Sequence, residues 1–336
     1  MNKLFLWLVA AVFFALVFPP NCPAPLVWAP GEGWTYEKGD ATAAKTPQEQ
    51  LELGKKYQSQ KDYDPAISAY RRLIRRWPTA YATQEARLHL GECLSALGFY
   101  YKAFLEYQNL VKKHPNSEFL ETALQREFEV GNIFLSGEKH KVWRLPMFSG
   151  YDKAIEIFED IIKTAPYGKI GPDAQLRLGM VYEKLKQYPE AVAAYEKLVE
   201  RYPQHPFAET AQFAIGVTYA KQAGSADYDA TTAKKAITAF EDYLIRYPKS
   251  DRVSDVEKQL AVLKQEQGQG LFRIGEFYEK QGNIKAALVY YNEVIAENPK
   301  ASWGIAAQQK VARLTPSSSS RSPVSKPAPS KPAIKP

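Results

Sequence analysis

Residues 176–203 read LRLGMVYEKLKQYPEAVAAYEKLVERYP, and this stretch decides the fold. Leu178, Gly179 and Tyr182 sit at helical spacing on a first helix. Ala191, Tyr195 and Leu198 recur at offsets of four and three on a second. Pro203 restricts the residue before it to non-helical angles, so it ends the second helix and starts a turn. The stretch therefore predicts a helical hairpin with a small residue on each helix.

The same order runs along the chain. Leu53, Gly54, Tyr57, Ala66, Tyr70, Leu73 and Pro78 form one copy, and Leu90, Gly91, Ala103, Tyr107, Leu110 and Pro115 another. Gly275, Tyr278, Ala287, Tyr291, Val294 and Pro299 form the last. In these copies, and in the opening one, the Gly-to-Pro distance is 24 residues. Two copies are expanded. Gly131, Phe134, Ala154, Phe158, Ile161 and Pro166 span 35 residues, and Gly216, Tyr219, Ala236, Phe240, Tyr243 and Pro248 span 32. Glycine and alanine are small where the two helices cross, so the backbones approach there. The aromatic residues are expected to fill the groove of the neighbouring hairpin. One hairpin cannot bury its apolar face alone, so stacking of copies supplies the core. Val253–Gln267 keeps helical spacing and extends the first helix of the sixth copy, and Trp303–Leu314 predicts a closing helix.

Outside the repeats the composition changes. Lys3 precedes an apolar run, Leu4–Phe18, that is shorter than the roughly 20 residues a bilayer span needs and is closed by Pro19 and Pro20. This predicts an export signal over residues 1–22. Cys22 stands where a lipoprotein would carry its lipidated cysteine, although Pro19, Pro20 and Asn21 do not make the usual lipobox. Residues 23–46, with Trp28, Trp34 and Tyr36, predict an extended lead-in. Residues 47–314 hold the repeats. Residues 315–336 are a Ser/Pro/Lys tail too polar to bury a core, and disorder is expected there. The tail carries Arg321, Lys326, Lys331 and Lys335, four of the seven excess positive charges. The repeats are thus nearly balanced in charge, which argues against a nucleic-acid partner.

No catalytic signature occurs: no HExxH, GxSxG, P-loop or GxGxxG. His89, His114, His140 and His205 are far apart in sequence, and His89 with Cys93 offers only two metal ligands. The expectation is no enzyme, no metal and no cofactor. Lys55 and Gln58, with Glu92 and Ser95, lie on first helices that line the groove of such a solenoid, and are candidate partner-binding residues. The inserted loop with Lys139, Lys141, Trp143 and Arg144 is either a docking loop or a packing insert. Arg71, Arg72, Arg75 and Arg76 share one broad helix face, read as a solvated outer face before a site for anionic lipid or an acidic partner.

The Leu-Gly, Tyr, Ala, aromatic, Pro order resembles the tetratricopeptide repeat over about 270 residues. That resemblance implies an all-α, right-handed superhelical solenoid of about six hairpins that binds other proteins. The carboxylate clamp of chaperone-binding relatives is not matched, because Leu51 and Lys55, then Leu88 and Glu92, hold the clamp positions. Phe240–Ser250, and Ile274–Gly282 with Ala286 and Ala287, are similar to the BamD family of outer-membrane assembly lipoproteins. Glu276 and Phe277 in the second segment join the candidate residues. This resemblance implies a periplasmic scaffold tethered to the outer membrane, with the barrel-forming assembly subunit and unfolded outer-membrane proteins as partners. A scaffold of another envelope process, such as Tol–Pal or the cell-wall and division machinery, is the alternative.

Overall fold

The computed structural model describes residues 26–29, 33–36, 44–138, 140–142, 145–148, 150–224 and 230–315. Two compact units divide the chain, Met1–Phe207 and Ala208–Pro336. The first unit opens with an antiparallel hairpin of β1 (Leu26–Ala29) and β2 (Gly33–Tyr36), in which Trp28 pairs with Trp34 along the backbone. Four helical hairpins follow: α1 (Pro47–Ser59) with α2 (Tyr63–Arg76), α3 (Ala82–Ala96) with α4 (Tyr100–Lys113), α5 (Leu120–Leu135) with α6 (Tyr151–Thr164), and α7 (Gly171–Lys184) with α8 (Tyr188–Arg201). The second unit holds α9 (Pro206–Gly224) with α10 (Ala230–Arg246), α11 (Val253–Lys280) with α12 (Ile284–Glu297), and the closing helix α13 (Ser302–Leu314). The insert of the third hairpin is itself a small hairpin, β3 (His140–Val142) and β4 (Leu145–Phe148), with Val142 opposite Leu145.

Local chemistry sets the helix ends. The Thr46 hydroxyl accepts the Glu49 amide at 3.2 Å and Pro47 occupies the first turn, so α1 is capped where its free N–H groups need partners. At the far end of α2, Trp77 before Pro78 leaves helical angles while its amide still reaches the Leu73 carbonyl at 2.9 Å. The turn inside the hairpins needs one left-handed residue seven positions after the repeat glycine. Lys61 and Lys186 adopt it at φ +59 and +58, and Gly98 and Gly282 at +76 and +75.

The hairpin core repeats one device. The large ring of the second helix lies over the glycine of the first helix of its own hairpin: Tyr70 on Gly54, Tyr107 on Gly91, Phe158 on Gly131, Tyr195 on Gly179, Phe240 on Gly216 and Tyr291 on Gly275. A Cβ added at any of these glycines would come within 3.0 Å of ring carbons. Each ring therefore seats against the glycine of its own hairpin, and Tyr70 also stacks on His89 of the next, the neighbouring contact that the sequence suggests. The helices of one hairpin are closest at this glycine, and only the missing Cβ leaves room for a ring.

Ring chemistry and the residue four after the glycine go together. The Tyr70 hydroxyl donates to Gln58 Oε1 at 2.7 Å, Tyr195 to Glu183 Oε1 at 2.7 Å and Tyr291 to Glu279 Oε2 at 2.6 Å. Tyr107 bonds to Ser95. The two expanded repeats carry phenylalanine, and there the position holds Leu135 or Ala220. A buried hydroxyl needs a partner, so the two positions must match. Tyr195→Phe is therefore expected to cost about 1 kcal/mol, one hydrogen bond. Phe158→Tyr, facing Leu135, should cost about 1–3 kcal/mol because its hydroxyl gains no acceptor. Urea titration of both variants checks the order.

Candidate partner-binding face

In the first unit, α1 packs on α3 and α5 packs on α7. First helices thus meet one another, forming an inner face, and second helices lie outside. The polar side chains of that face link into one ladder. Lys55 Nζ on α1 reaches Glu85 Oε1 on α3 at 2.6 Å. Gln58, which accepts the Tyr70 hydroxyl, donates its amide to Glu92 Oε2 on α3 at 3.1 Å. Glu92 is the hub. His89 Nδ1 lies 3.0 Å from its Oε2, and Arg126 of α5 donates to its Oε1 at 3.1 Å and to Glu129 at 2.9 Å. The His89 ring stacks on Tyr70 with centroids 5.8 Å apart.

Burial pushes the Glu92 carboxyl up. The hydrogen bonds from His89 and Gln58 and the charges of His89 and Arg126 outweigh burial and hold its pKa below the ordinary 4.5. The sign follows: its contribution is present above 4.5 and is lost as pH falls through the lowered folded value. The ladder is charged and oriented at neutral pH, and it ends at a cleft. Arg126 borders a cavity of about 480 Å³ lined by Leu120, Leu124, Ala165, Lys169 and Ile170. The face thus offers alternating charges followed by an apolar recess, an arrangement that suits an extended polypeptide with an apolar side chain.

Of the residues the sequence singles out, Lys55, Gln58 and Glu92 meet in this ladder. Ser95 instead serves Tyr107 inside its own hairpin. Glu276 and Phe277 belong to the second unit, where Lys310 Nζ lies 3.7 Å from Glu276 and Phe277, 55% exposed, rests edge-on against Tyr278. Lys139, Trp143, Arg144 and Cys22 lie outside the described residues, and of Lys141 only the backbone, in β3, is described. Glu85, His89, Arg126 and Glu129 are ladder members that the sequence reading does not single out. No repeat spacing marks them, since Gln58, Glu92 and Arg126 stand 34 residues apart while their repeat glycines stand 37 and 40 apart.

Other candidates resolve differently. Arg71, Arg72 and Arg75 are engaged by neighbours, and the Arg76 guanidinium covers the Trp77 ring at 4.7 Å. Cys93 is buried and unpaired, and burial pushes its thiol up to about 12, which keeps it from acting as a thiolate. Among the described residues no cluster of three or more His, Cys, Asp or Glu could hold a metal, and no helix is long and apolar enough to cross a membrane.

Residues 148–314 match the family model for an outer membrane lipoprotein, YfiO, and residues 51–118 match a tetratricopeptide repeat model. No curated protein sequence matches the chain. Among solved structures, MamA is 20% identical with a TM-score of 0.36, covering 60% of this chain and 92% of its own. A tetratricopeptide repeat protein from Parabacteroides merdae is 10% identical with a TM-score of 0.36, covering 80% and 98%. PilW, a type IV pilus biogenesis factor, is 16% identical with a TM-score of 0.29, covering 79% and 100%.

Proposed function

We propose, for a chain that is a BamD-like tetratricopeptide-repeat protein and a protein-interaction scaffold, that it serves outer-membrane β-barrel assembly from the periplasm. In this reading it docks on the barrel-forming assembly subunit and receives unfolded outer-membrane proteins. Residues 1–22 export it, and Cys22 tethers it to the outer membrane. The observation that carries the reading is the ladder from Lys55 through Glu92 to Arg126, ending at the apolar cleft. Unfolded barrel segments alternate polar and apolar side chains, and such a segment matches a charged ladder beside an apolar recess. The role assigned is binding and not turnover.

Purification of the protein from its native envelope in mild detergent tests this. Wild type is expected to recover a large outer-membrane barrel with periplasmic repeat domains, together with client barrels. Arg126→Ala is expected to lower client recovery about tenfold. Its own stability should fall by less than about 1 kcal/mol, because Arg126 is 40% exposed and its ion pairs are near the surface. Recovery of Tol–Pal, cell-wall or division proteins in place of a barrel would move the scaffold to another envelope process.

A further inference from the structure

The outer side of the third and fourth hairpins carries a second cleft, of about 410 Å³, built on different residues from the ladder. Ile162 on α6 and Leu178 on α7 line it with apolar side chains. Gln175 also lines it, but its amide is spent on the Ala194 carbonyl at 2.9 Å. Lys163 of α6 stands on one side and Lys197 and Arg201 of α8 on the other. All three cations are exposed, and none has an ion pair among the described residues. The single carboxylate lining the cleft, Glu159, already accepts the Tyr182 hydroxyl at 3.3 Å. Other cations of this unit are paired, as Lys55 is with Glu85, Lys112 with Asp160 and Lys153 with Glu156. Three unmatched cations in one recess leave a local excess of positive charge.

An aromatic ring completes the recess. Tyr167 is 83% exposed, an unusual state for so large a side chain, and it lines the cleft beside Pro166. The turn that presents it is fixed, because the Tyr202 hydroxyl donates to the Pro166 carbonyl. The ring is thus held out at the cleft by a backbone that has little freedom left to lose on binding.

We infer that this cleft docks an acidic, extended segment of a partner protein, with carboxylates between Lys163 and the Lys197–Arg201 pair and a flat side chain on Tyr167. The inference rests on the chain's being a protein-interaction scaffold and not on the barrel-assembly role. The cations line a recess and not a flat patch, so an extended peptide can enter among them where a membrane surface cannot. The cleft shares no lining residue with the recess beside Arg126.

The test uses the full chain and a fluorescein-labelled peptide alternating glutamate with tyrosine, followed by anisotropy, with a glutamine-for-glutamate peptide as control. The glutamate peptide is expected to bind, and to bind more weakly as salt is raised. Lys197→Glu with Arg201→Glu should weaken it about tenfold or more, since the α8 side then repels it. Lys249→Glu with Lys300→Glu makes the same change in net charge elsewhere and should leave binding within about twofold. Tyr167→Ala should weaken it severalfold at unchanged charge. Thermal melts of the exposed-site variants are expected to match wild type. Equal binding of the glutamine peptide, or equal loss in both double reversals, would overturn the inference. So would anionic-lipid vesicles that lose binding to the Lys197/Arg201 variant while the peptide does not. Failure here leaves the Arg126→Ala test of the assembly role untouched.

Discussion

Gly275→Ala is expected to destabilise the second unit by about 1–3 kcal/mol, and Gly268→Ala, on the same helix, to stabilise it by up to about 1 kcal/mol. Both glycines lie inside α11, so the helical propensity gained on adding a methyl group is the same for each. Their surroundings differ. A Cβ at Gly275 would lie 2.7 Å from Tyr291 Cε1 and 2.9 Å from its Cδ1. Tyr291 cannot swing away, because it is fully buried and its hydroxyl is held by Glu279 at 2.6 Å. A Cβ at Gly268 would meet only Trp303 atoms, the nearest at 3.8 Å, which is ordinary contact. Packing therefore reverses the sign that propensity gives. Chemical denaturation of the two variants measures it. A stabilised Gly275→Ala would show that the ring can move, and would remove the argument for all six glycine seats.

Replacing Glu127 with glutamine should stabilise the first unit by about 1–3 kcal/mol at neutral pH. Glu127 is completely buried, and both of its carboxyl oxygens lack a hydrogen-bond partner. It stands four residues before its repeat glycine. At the same position Gln50 donates its amide to the Ala69 carbonyl at 3.1 Å, and Gln175 donates to the Ala194 carbonyl at 2.9 Å. Each of those carbonyls belongs to the residue before the seated ring. In the third hairpin that residue is Ile157, and a glutamine at 127 has its carbonyl to meet.

Titration gives a second readout of the same site. Burial pushes the Glu127 carboxyl well above its ordinary 4.5, the charge of Asp160 pushes it the same way, and Lys112 opposes them. Lys112 is itself paired with Asp160 at 2.9 Å. With the folded pKa raised, the favourable contribution is complete below 4.5 and is lost as pH rises through the folded value. Wild type should therefore gain stability on acidification through that window, and Glu127→Gln should lack this gain. Urea midpoints followed from neutrality downward check both statements. A glutamine variant less stable than wild type at every pH would mean that the carboxylate has a partner, such as a bound water.

The hairpins are legible in the sequence because their causes are local. A proline two residues past the last helical position, a left-handed residue in the turn and apolar residues at offsets of three and four act over one or two helical turns. For the same reason the sequence places the two expansions, the long α11 and the closing helix. The seat of the rings was half legible: the pairing of glycine with an aromatic residue shows in the spacing, but which hairpin receives the ring does not. Ser95 shows the limit. It lies at the position of Gln58, yet one serves the ladder and the other only its own tyrosine.

The sequence by itself determined six hairpins, each closed through small residues and a ring, with charge nearly balanced over the repeats. Tertiary structure alone decided which polar residues meet. Gln58 lies four residues after its glycine, Glu92 one after, and Arg126 five before, yet the three are hydrogen-bonded in line. Stacked helices are offset along their axes, so equivalent positions of successive repeats do not face each other. A repeat alignment pairs Lys55 with Glu92, whereas the packed helices pair Lys55 with Glu85 and give Glu92 to Gln58 and Arg126.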